Sequence, residues 1–414
     1  MNLPKHQALR GQVDVPPSKS MSIRALAAAA LAHGESRISR LSTCMDARQA
    51  RRIAFLLGAE IREEDKLATI LGGRTPSSTE FPCGESALCL RLFAPVLSTM
   101  LMDFTLVAEG SLQSRLTALS KDAMSEFGLT VTDCYGFPPV RITGRLQAGK
   151  HRLDASTTSQ VASGLLMALP LLQGDSELIL EQAVSRPYLE MTCEIMRQFG
   201  VEIRREGWER YFLSGGQVYR PAAFEIERDW SAAAFWLVAG ALVGPLTVKS
   251  LLLDSTQADK AVIGALRLFG AKLDVQPTGI TVTPEGRRPF AMDFSDAPDL
   301  FPALLVLATQ TEGTSRLTGW ERLRHKESNR ISALVGELSA MGARIEMRDK
   351  TMLVHGGKLR GARLFSHNDH RIAMALAVAA ICTDEENTLE GGECVAKTYP
   401  DFWDDLKRLS GETP

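Results

Sequence analysis

The chain has 414 residues, 45% of them apolar, and a formal net charge of −2 at pH 7. This length predicts more than one domain with large cores, and the near-neutral charge argues against a nucleic-acid-binding protein, whose binding domain is normally basic. Seven scattered cysteines without a C-x-x-C pair fit a reduced cytosol better than a disulfide framework. Residues 1–15 contain no signal peptide, and the longest apolar stretches are too short to span a bilayer. We therefore expect a cytoplasmic protein that binds neither nucleic acid nor a membrane.

Six glycines recur along the chain at intervals of 70, 72, 70, 72 and 69 residues. They are Gly58, Gly128, Gly200, Gly270, Gly342 and Gly411. Each follows an apolar, helix-like stretch, and glycine is the expected residue just past a helix end. After the first five, a strand-like segment opens with an aliphatic residue three places on: Ile61, Val131, Ile203, Leu273 and Ile345. A fixed period indicates one structural unit used repeatedly, so the sequence predicts six α/β units.

Polar clusters precede most of the predicted helices. Alanine-rich, buried helices are expected at about 20–33, 161–172, 231–243 and 371–382, and two more begin near residues 189 and 331. The clusters lie, in chain order, at 18–20 (with Arg24), 157–160, 185–188, 229–231, 325–330 and 368–371. Helix capping explains the Ser, Thr, Asp and Asn residues of any one cluster.

Capping does not explain the cations in these clusters. Positive side chains at a helix start face the positive end of the helix dipole, which is mildly unfavourable unless an anion is bound there. The cations concerned are Lys19, Arg24, Lys326, Arg330 and Arg371. Because neither a P-loop nor a convincing Rossmann fingerprint is present, the sequence predicts several helix N-termini that bind small phosphorylated metabolites.

Two carboxylates are candidate proton carriers, and one histidine is a further candidate site residue. Glu327 lies between Lys326 and Arg330, and a carboxylate among cations can serve as a base or, when protonated, as an acid. Asp299 precedes an apolar run, where it is either a helix cap or a site residue. His370 has no second His or Cys at metal spacing, so no metal site is expected, and it is either structural or part of the site.

Along essentially the whole chain, these segments resemble the 5-enolpyruvylshikimate-3-phosphate synthase family (3-phosphoshikimate 1-carboxyvinyltransferases). Seven segments occur in the family's order and at its spacing, which is far more specific than any one of them. They are Pro17-Ser18-Lys19-Ser20 with Arg24, Thr158-Ser159-Gln160, Ser185-Arg186-Pro187-Tyr188, Pro298-Asp299, Arg324-His325-Lys326-Glu327 with Arg330, Asn368-Asp369-His370-Arg371, and Ala396-Lys397-Thr398 with Pro400-Asp401.

The resemblance implies an α/β fold, a two-lobed inside-out barrel of six βαβαββ units, three in each lobe. One lobe would comprise residues 19–226 and the other residues 1–18 plus 227–414, with the active-site cleft between them. The strand-like segment 12–15 would supply what the last unit lacks. A cleft within one chain is compatible with a monomer, which we expect, although the sequence leaves the oligomeric state open. No cofactor is implied.

The implied reaction transfers the enolpyruvyl group of phosphoenolpyruvate to the 5-hydroxyl of shikimate 3-phosphate and releases phosphate, through a tetrahedral intermediate. The resemblance implies these catalytic residues: Lys19, Asp299, Glu327 and His370. It implies these contacts to shikimate 3-phosphate: Lys19, Ser20, Arg24, Thr158, Ser159, Gln160, Ser185, Tyr188, Asp299, Arg322 and Lys326. It implies these contacts to phosphoenolpyruvate: Lys19, Ala87, Arg115, Gln160, Arg330, Arg371 and Lys397.

The chain departs from the family in one segment that normally lies against phosphoenolpyruvate. The family's Asn-x-Gly-Thr-x-x-Arg reads 85–91 here, with Arg91 in place, Glu85 for Asn and Ala87 for Gly. We expect Glu85 to turn toward a cation and the Ala87 methyl to crowd the pocket, which predicts reduced sensitivity to glyphosate. Other departures are Pro17 for Gly, Thr158 for Ser, Arg322 for Asn and Asn329 for Asp.

Two alternatives remain at this point. The related UDP-N-acetylglucosamine enolpyruvyl transferases have Asn after the first-lobe lysine and usually a reactive cysteine on a mobile loop. Here Ser20 follows Lys19, and Cys89 lies in a helix-like run where we expect a buried, inert thiol. A non-catalytic binder of phosphorylated metabolites with the same fold is the other alternative, although pure binding needs no proton carriers.

Overall fold

The computed structural model describes residues 1–5 and 8–411 and shows a mixed α/β chain. The described chain divides into two compact units, residues 1–16 with 228–414 and residues 17–227. Each unit has a hydrophobic core of its own. Among the described residues, no helix combines the length and the apolar character needed to cross a membrane.

The chain begins with two short strands of the first-named unit, β1 (Asn2–Leu3) and β2 (Gly11–Val13). The unit of residues 17–227 follows. Its helices are α1 (Lys19–Leu31), α2 (Met45–Leu56), α3 (Ala87–Leu97), α4 (Lys121–Glu126), α5 (Gln160–Ala168) and α6 (Arg186–Gln198). Its strands are β3 (Gly34–Ser39), β4 (Glu60–Glu64), β5 (Leu67–Gly72), β6 (Glu80–Pro82), β7 (Asp103–Val107), β8 (Leu129–Cys134), β9 (Phe137–Gly144), β10 (Lys150–Asp154), β11 (Ser176–Glu181), β12 (Arg204–Glu206), β13 (Arg210–Leu213) and β14 (Ala223–Glu225).

The remainder of the chain returns to the unit that holds the N-terminus. Its helices are α7 (Trp230–Val243), α8 (Val262–Phe269), α9 (Phe301–Thr309), α10 (Arg330–Ala340), α11 (His370–Ala380) and α12 (Phe402–Ser410). Its strands are β15 (Leu246–Lys249), β16 (Lys272–Gln276), β17 (Gly279–Thr283), β18 (Ala291–Asp293), β19 (Thr314–Thr318), β20 (Arg344–Arg348), β21 (Thr351–His355), β22 (Arg363–Phe365) and β23 (Asn387–Glu390). Short 3-10 helices carry predicted site residues at Pro298–Leu300, Glu321–His325 and Gly392–Lys397.

The described strands form six small sheets, of which five have four strands in one arrangement and the sixth has three. The orders are β14-β3-β5-β4, β6-β7-β9-β8, β10-β11-β13-β12, β2-β15-β17-β16, β18-β19-β21-β20 and β1-β23-β22. In the second sheet, β6 runs parallel to β7 with helix α3 between them in the chain, and β9 and β8 add antiparallel strands. Parallel neighbours require such a crossover, which is commonly a helix. The six sheets confirm the predicted repeat of small α/β units.

The expectation that segment 12–15 completes the last unit is wrong. Strand β2 pairs in parallel with β15, with Val13 opposite Val248, so it opens the fourth sheet. Both valines are fully buried, so this register places them in one core. The last sheet instead gains β1, in which Leu3 lies opposite Asn387 in an antiparallel pair with β23.

The six periodic glycines end six helices as predicted. They follow α2, α4, α6, α8, α10 and α12 within two residues, and their φ angles lie between 74° and 97°. This left-handed region is open to glycine at little energetic cost, because glycine has no Cβ. The aliphatic residues that follow lie in strands β4, β8, β16 and β20, except Ile203, which lies one residue before β12.

The four alanine-rich helices also form close to their predicted positions. Every residue of α11 is buried, as its apolar character on all sides predicted. The helix predicted for 161–172 is shorter, because α5 ends at Ala168 and a 3-10 turn follows at Leu169–Leu171. Pro170 lies in this turn, and proline has no N–H with which to continue an α-helix.

Candidate active site

In the unit of residues 17–227, one buried arginine joins the N-terminal parts of three helices. Arg24 of α1 is 1% exposed, and its Nε donates to Oγ1 of Thr192 in α6 at 2.7 Å. Its second terminal nitrogen donates to Oγ of Ser163 in α5 at 3.1 Å. All three residues lie within two turns of their helix starts, so the polar clusters at 18–20, 157–160 and 185–188 are brought together, as an anion-binding site requires.

The guanidinium of Arg24 is largely engaged by the protein itself. Its remaining terminal nitrogen donates to the carbonyl of Ser20 at 3.0 Å, and burial lowers its pKa to about 10 against the opposing effect of Tyr188. Three of the five guanidinium N–H groups therefore bond to protein oxygens. Arg24 thus connects the three helices. Its expected contact with a shikimate carboxylate stays a prediction, and it would use the other two N–H groups.

Lys19 begins α1 and pairs with a carboxylate that sequence reasoning missed. Its Nζ lies 2.9 Å from Oδ2 of Asp46, in the first turn of α2, and the side chains are 14% and 5% exposed. Ser18 caps α1 by accepting from the backbone N–H of Met21 at 3.4 Å. Asp46 therefore balances a cation that the dipole of α1 disfavours. The sequence analysis predicted no helix start at Asp46, and an acidic residue ahead of the helix-like stretch before Gly58 gave no indication of this pair.

The clusters before α5 and α6 have backbone geometry that simple capping does not explain. Among the described backbone groups, none donates a capping bond to the side chain of Ser159, which is 3% exposed. Thr158 Oγ1 instead accepts from the backbone N–H of Gln160 at 3.2 Å. Ser185 has a left-handed φ of 53°, and its carbonyl accepts from Tyr188 N at 3.0 Å. Non-glycine residues held in this region often lie at functional sites, because the surrounding structure must stabilise the strain.

Arg91 fixes the segment that carries Arg115. Its guanidinium donates to the carbonyl of Thr117 at 2.9 Å, to the carbonyl of Leu116 at 2.7 Å and to Oε1 of Gln160 at 3.0 Å. Arg115 is 8% exposed. Arg91 was recognised in the sequence as matching the family, and the structure shows that it orients two predicted ligands of phosphoenolpyruvate, Arg115 and Gln160.

The segment that departs from the family begins helix α3. The Glu85 carboxylate accepts from the Ser111 hydroxyl at 2.5 Å and from the Ser111 N–H at 3.3 Å. Its expected orientation toward a cation stays a prediction. Ala87 is the first residue of α3 and is 5% exposed. Cys89 lies in the same helix, fully buried as expected, and burial raises the pKa of its thiol well above the usual range.

In the other unit, Arg330 is the centre of a buried network of carboxylates. This arginine is 1% exposed, and its Nε and one terminal nitrogen donate to both oxygens of Asp369 at 2.9 and 3.2 Å. The same terminal nitrogen donates to Oε2 of Glu327 at 2.6 Å, and the other donates to Oδ1 of Asp299 at 3.2 Å. The clusters at 298–299, 325–330 and 368–371 therefore meet at one side chain.

Three cations surround the carboxylate of Asp299. Its Oδ2 accepts from Arg371 at 3.0 Å, and Lys326 Nζ lies 3.8 Å from its Oδ1. Burial by itself raises the pKa of this carboxyl, but Arg371, Lys326 and Arg330 together outweigh burial and hold the pKa well below its usual range. Asp299 is therefore ionised at neutral pH and is a proton acceptor rather than a donor in the free chain.

Lys326 and Arg330 respond to burial in opposite ways. Burial lowers the pKa of Lys326 to about 8 in spite of Asp299. Burial also lowers the pKa of Arg330, but Asp369, Glu327 and Asp299 outweigh it and raise that pKa above its usual range. Arg330 is a permanent cation, whereas Lys326 is close to losing its proton at mildly alkaline pH.

The remaining predicted residues of this unit are mostly buried. His370 is 1% exposed at the start of α11, Lys397 is 5% exposed at the end of a 3-10 helix, and Arg371 is 5% exposed. Arg322, whose partner the sequence left open, donates to the carbonyl of Ser295 at 2.5 Å. Asp369 was recognised as part of a cluster but not as the main partner of Arg330, because their partnership depends on tertiary folding.

The predicted residues thus form two sets, one in each unit. The set of residues 17–227 contains Lys19, Ser20, Arg24, Ala87, Arg115, Thr158, Ser159, Gln160, Ser185 and Tyr188. The set of the other unit contains Asp299, Arg322, Lys326, Glu327, Arg330, His370, Arg371 and Lys397. Buried cations beside buried carboxylates suit an enzyme that acts on small anionic molecules, because the cations bind anions and the carboxylates can carry protons.

Comparison with known proteins identifies the family. Residues 3–406 match the family model of EPSP synthase (3-phosphoshikimate 1-carboxyvinyltransferase). The 3-phosphoshikimate 1-carboxyvinyltransferase of Clostridium acetobutylicum is 35% identical over 416 residues, covering 98% of this chain and 96% of the relative. That of Clostridium kluyveri is 34% identical over 408 residues, with the same coverage. The EPSP synthase structure from Acinetobacter baumannii superimposes with a TM-score of 0.83 at 27% identity, covering 99% of this chain and 97% of that one. The chain belongs to the EPSP synthase family.

Proposed function

We propose that this chain transfers the enolpyruvyl group of phosphoenolpyruvate to the 5-hydroxyl of shikimate 3-phosphate and releases phosphate. The family match over residues 3–406 supports the activity. The observation that supports the site is the buried Arg330, which holds Asp299, Glu327 and Asp369 around one guanidinium. The match to the EPSP synthase family model does not favour the alternative reaction, in which UDP-N-acetylglucosamine accepts the enolpyruvyl group.

The reaction is an addition followed by an elimination. In the addition, the methylene carbon of phosphoenolpyruvate gains a proton, the 5-hydroxyl loses one, and its oxygen bonds to C2. In the elimination, the new methyl group returns a proton and the C2–O bond to phosphate breaks. One group must therefore accept the hydroxyl proton and another must exchange a proton with the methylene carbon.

The ionisation of Asp299 supports a division of these roles. Three cations hold the pKa of Asp299 low, so in our proposal it accepts the hydroxyl proton. Glu327 then exchanges the proton of the methylene carbon, next to Arg330 at 2.6 Å. Lys19 assists at the bridging oxygen, and His370 supports the phosphate site. These roles follow the family resemblance, and the geometry of each unit is compatible with them.

The substrate contacts divide between anion clamps and ring contacts. Phosphoenolpyruvate is held by Arg115, Arg330, Arg371 and Lys397, with Ala87 and Gln160 beside it. The carboxylate of shikimate 3-phosphate meets Ser20 and Arg24, its 3-phosphate meets Thr158, Ser159, Ser185 and Lys326, and Tyr188, Gln160, Asp299 and Arg322 line the rest. Each charge-assisted contact contributes about 1.5–3 kcal/mol, so the loss of one weakens binding without abolishing it. The proposal further takes residues 19–226 and residues 1–18 plus 227–414 as its two functional lobes.

The experiment is to measure phosphate release from phosphoenolpyruvate with and without shikimate 3-phosphate. We expect release to require shikimate 3-phosphate and to fall by about 10²–10⁴-fold in Glu327→Gln, because proton transfer contributes about that much to catalysis. Glu312→Gln, at an exposed glutamate of the same unit, is the matched control.

Other results would contradict the proposal in different ways. If both substrates bind but neither the wild type nor Glu312→Gln releases phosphate, the chain is a binder of phosphorylated metabolites. If UDP-N-acetylglucosamine supports release and shikimate 3-phosphate does not, the acceptor is wrong. If Glu327→Gln releases phosphate as fast as Glu312→Gln, the activity stands and the role of Glu327 does not.

A further inference from the structure

The segment of residues 110–117, which carries Arg115, is anchored at both of its ends. At the far end, Arg91 in α3 donates to two of its backbone carbonyls, as described above. At the near end, the Glu85 carboxylate accepts from the hydroxyl of Ser111 at 2.5 Å and from its backbone N–H at 3.3 Å. The mechanism above gives Glu85 no part, although its bonds lie next to a predicted ligand of phosphoenolpyruvate.

The backbone around Glu85 is held firmly. Its neighbours Gly84 and Ser86 are buried, and the Ser86 hydroxyl caps α3 by accepting from the N–H of Cys89 at 3.4 Å. The carbonyl of Gly84 accepts from the backbone N–H of Glu109 at 2.8 Å, which brings the start of the segment beside Glu85. The Glu85 side chain therefore extends from a fixed helix start to the turn that lies next to it.

The turn that Glu85 contacts has room for its carboxylate because of a glycine. Gly110 has a left-handed φ of 49°, and a Cβ at this position would clash with Oε1 of Glu85. Glycine meets both requirements, since it has no Cβ. Further along the turn, Leu112 is 1% exposed, and its carbonyl accepts from the N–H of Arg115 at 3.1 Å. The bonds of Glu85 thus continue through one short, partly buried turn to the backbone of Arg115.

We propose that Glu85 is a positioning residue for phosphoenolpyruvate, which holds the turn of residues 110–114 in place so that the guanidinium of Arg115 is already oriented when the anion binds. A preorganised group binds more tightly, because it loses less conformational freedom on binding. Glu85 acts through Ser111 and the turn rather than by contact with the substrate. The inference rests on the proposed function, because that function assigns Arg115 to phosphoenolpyruvate.

The charge of Glu85 makes the proposal sharply testable. The family resemblance places this segment beside phosphoenolpyruvate, and a carboxylate near an anion repels it. If repulsion were the main effect of Glu85, removal of its carboxylate would lower the KM for phosphoenolpyruvate. Positioning predicts the opposite, because removal of the carboxylate releases the turn. The direction of the change in one kinetic constant therefore separates the two effects.

The test is the KM for phosphoenolpyruvate in Glu85→Ala, measured by phosphate release. We expect this KM to rise about tenfold, since a misplaced substrate-holding group can cost up to about a hundredfold, and the KM for shikimate 3-phosphate to stay unchanged. Glu85→Gln keeps an oxygen that can accept from Ser111, so it should restore most of the affinity. Glu109→Ala is the matched control, because it removes a nearby exposed carboxylate that makes no capping bond, and it should leave both KM values unchanged.

Substitution of the partner residue gives an independent check. Ser111→Ala removes the hydroxyl and leaves the backbone N–H, so it should raise the KM for phosphoenolpyruvate by less than Glu85→Ala does. The double variant should have a KM no higher than that of Glu85→Ala, because both substitutions break one contact and their effects are then not additive. Independent effects, which multiply in the double variant, would overturn the inference. If Glu85→Ala does not fold, an unchanged KM in Ser111→Ala overturns it instead.

Tryptic cleavage after Arg115 gives a readout that does not depend on turnover. Arg115 is 8% exposed, so trypsin reaches the following peptide bond only when the segment opens locally. Glu85→Ala should speed this cleavage and Glu109→Ala should not. Equal cleavage rates in these two variants would show that Glu85 does not anchor the segment.

Failure of this inference can be distinguished from failure of the proposed function. An unchanged or lower KM for phosphoenolpyruvate in Glu85→Ala, with a wild type that still requires shikimate 3-phosphate, would overturn the inference alone. A wild type that releases no phosphate would overturn the proposed function, and the rate of tryptic cleavage would then decide by itself whether Glu85 anchors the segment.

Discussion

At the scale of single residues, two of the buried cations of this protein are matched with carboxylates before any substrate is bound. Lys19 pairs with Asp46, and Arg330 pairs with Asp369, Glu327 and Asp299. A buried charge without a partner is costly, so these pairs allow the fold to keep its anion-binding groups inside. If the proposed site is correct, an anionic substrate competes with Asp299 for its cations and makes this carboxylate easier to protonate.

The pair of Arg330 and Asp369 predicts a large effect on stability. In Asp369→Asn, the new side chain retains the ability to cap α11, where Oδ1 accepts from the backbone N–H of Arg371 at 2.9 Å. The substitution removes the charge that faces Arg330, and its NH2 group replaces the Oδ2 that accepts from Arg330 Nε and from the Ser328 hydroxyl. Because it breaks a buried ion pair, we expect the free energy of unfolding to fall by about 3–5 kcal/mol.

Urea unfolding at pH 7.5 measures this change. Asp349→Asn, at an exposed aspartate in the turn between β20 and β21, is the control and should change the free energy of unfolding by less than about 0.5 kcal/mol. A loss in Asp369→Asn no larger than that of the control would mean that Arg330 finds its charge balance in Glu327 and Asp299 alone.

Ala87 predicts how the site responds to glyphosate. The side chain starts α3 and is 5% exposed, so its methyl group occupies space that glycine leaves open in other family members. We expect the wild-type chain to be less sensitive to glyphosate and Ala87→Gly to lower the inhibitory concentration by about tenfold, because relief of one crowded methyl is typically worth about 1–3 kcal/mol. The measurement is an inhibition curve at fixed phosphoenolpyruvate, with Ala123→Gly, near the start of α4, as the control.

The inhibition curves of the wild type and of Ala87→Gly can each contradict this prediction. Normal sensitivity of the wild type would show that the methyl of Ala87 does not reach the inhibitor. If the wild type has low sensitivity and Ala87→Gly has the same inhibition curve, the methyl of Ala87 is not the cause. Glu85, which bonds to Ser111, would then be the next residue to substitute.

At the scale of elements, the sequence predicted what depends on local pattern. The six glycines, the four alanine-rich helices and the polar residues at their starts follow from rules that act within a few residues. Elements that depend on distant partners were harder to predict. Strand β2 was assigned to the last sheet, but its partner β15 lies more than 200 residues away, and the short strand β1 takes the place that β2 was expected to fill.

The same limit applies to the candidate site. Motifs at helix starts made Lys19, Arg330 and Arg371 candidate site residues, because cations are unusual there. Asp299 and Glu327 were candidates as proton carriers. Asp46 was not predicted, because an acidic residue in the first turn of a helix is ordinary. Only tertiary packing shows that it meets Lys19.

At the scale of the whole molecule, the charge that matters for binding is local. The net charge of −2 gives no general attraction for anionic substrates. Attraction must come from cations held at helix starts, where low exposure weakens screening by salt. Each unit contributes such a set on a core of its own, so the chain provides anion-binding groups without an overall positive charge.

This arrangement predicts that shikimate 3-phosphate stabilises the folded protein through its phosphate. A ligand that binds only the folded state adds about 2.7 kcal/mol at a hundredfold excess over its Kd, which is measurable as a rise in Tm. Shikimate without the phosphate, at the same concentration, should raise the Tm much less. Lys326→Met should reduce the rise caused by shikimate 3-phosphate, because it removes a partly buried cation, whereas Lys350→Met, at an exposed lysine, should not. Equal rises with both ligands would mean that the ring and carboxylate, rather than the phosphate, provide the binding energy, and an equal response of the two lysine variants would remove Lys326 from the phosphate site.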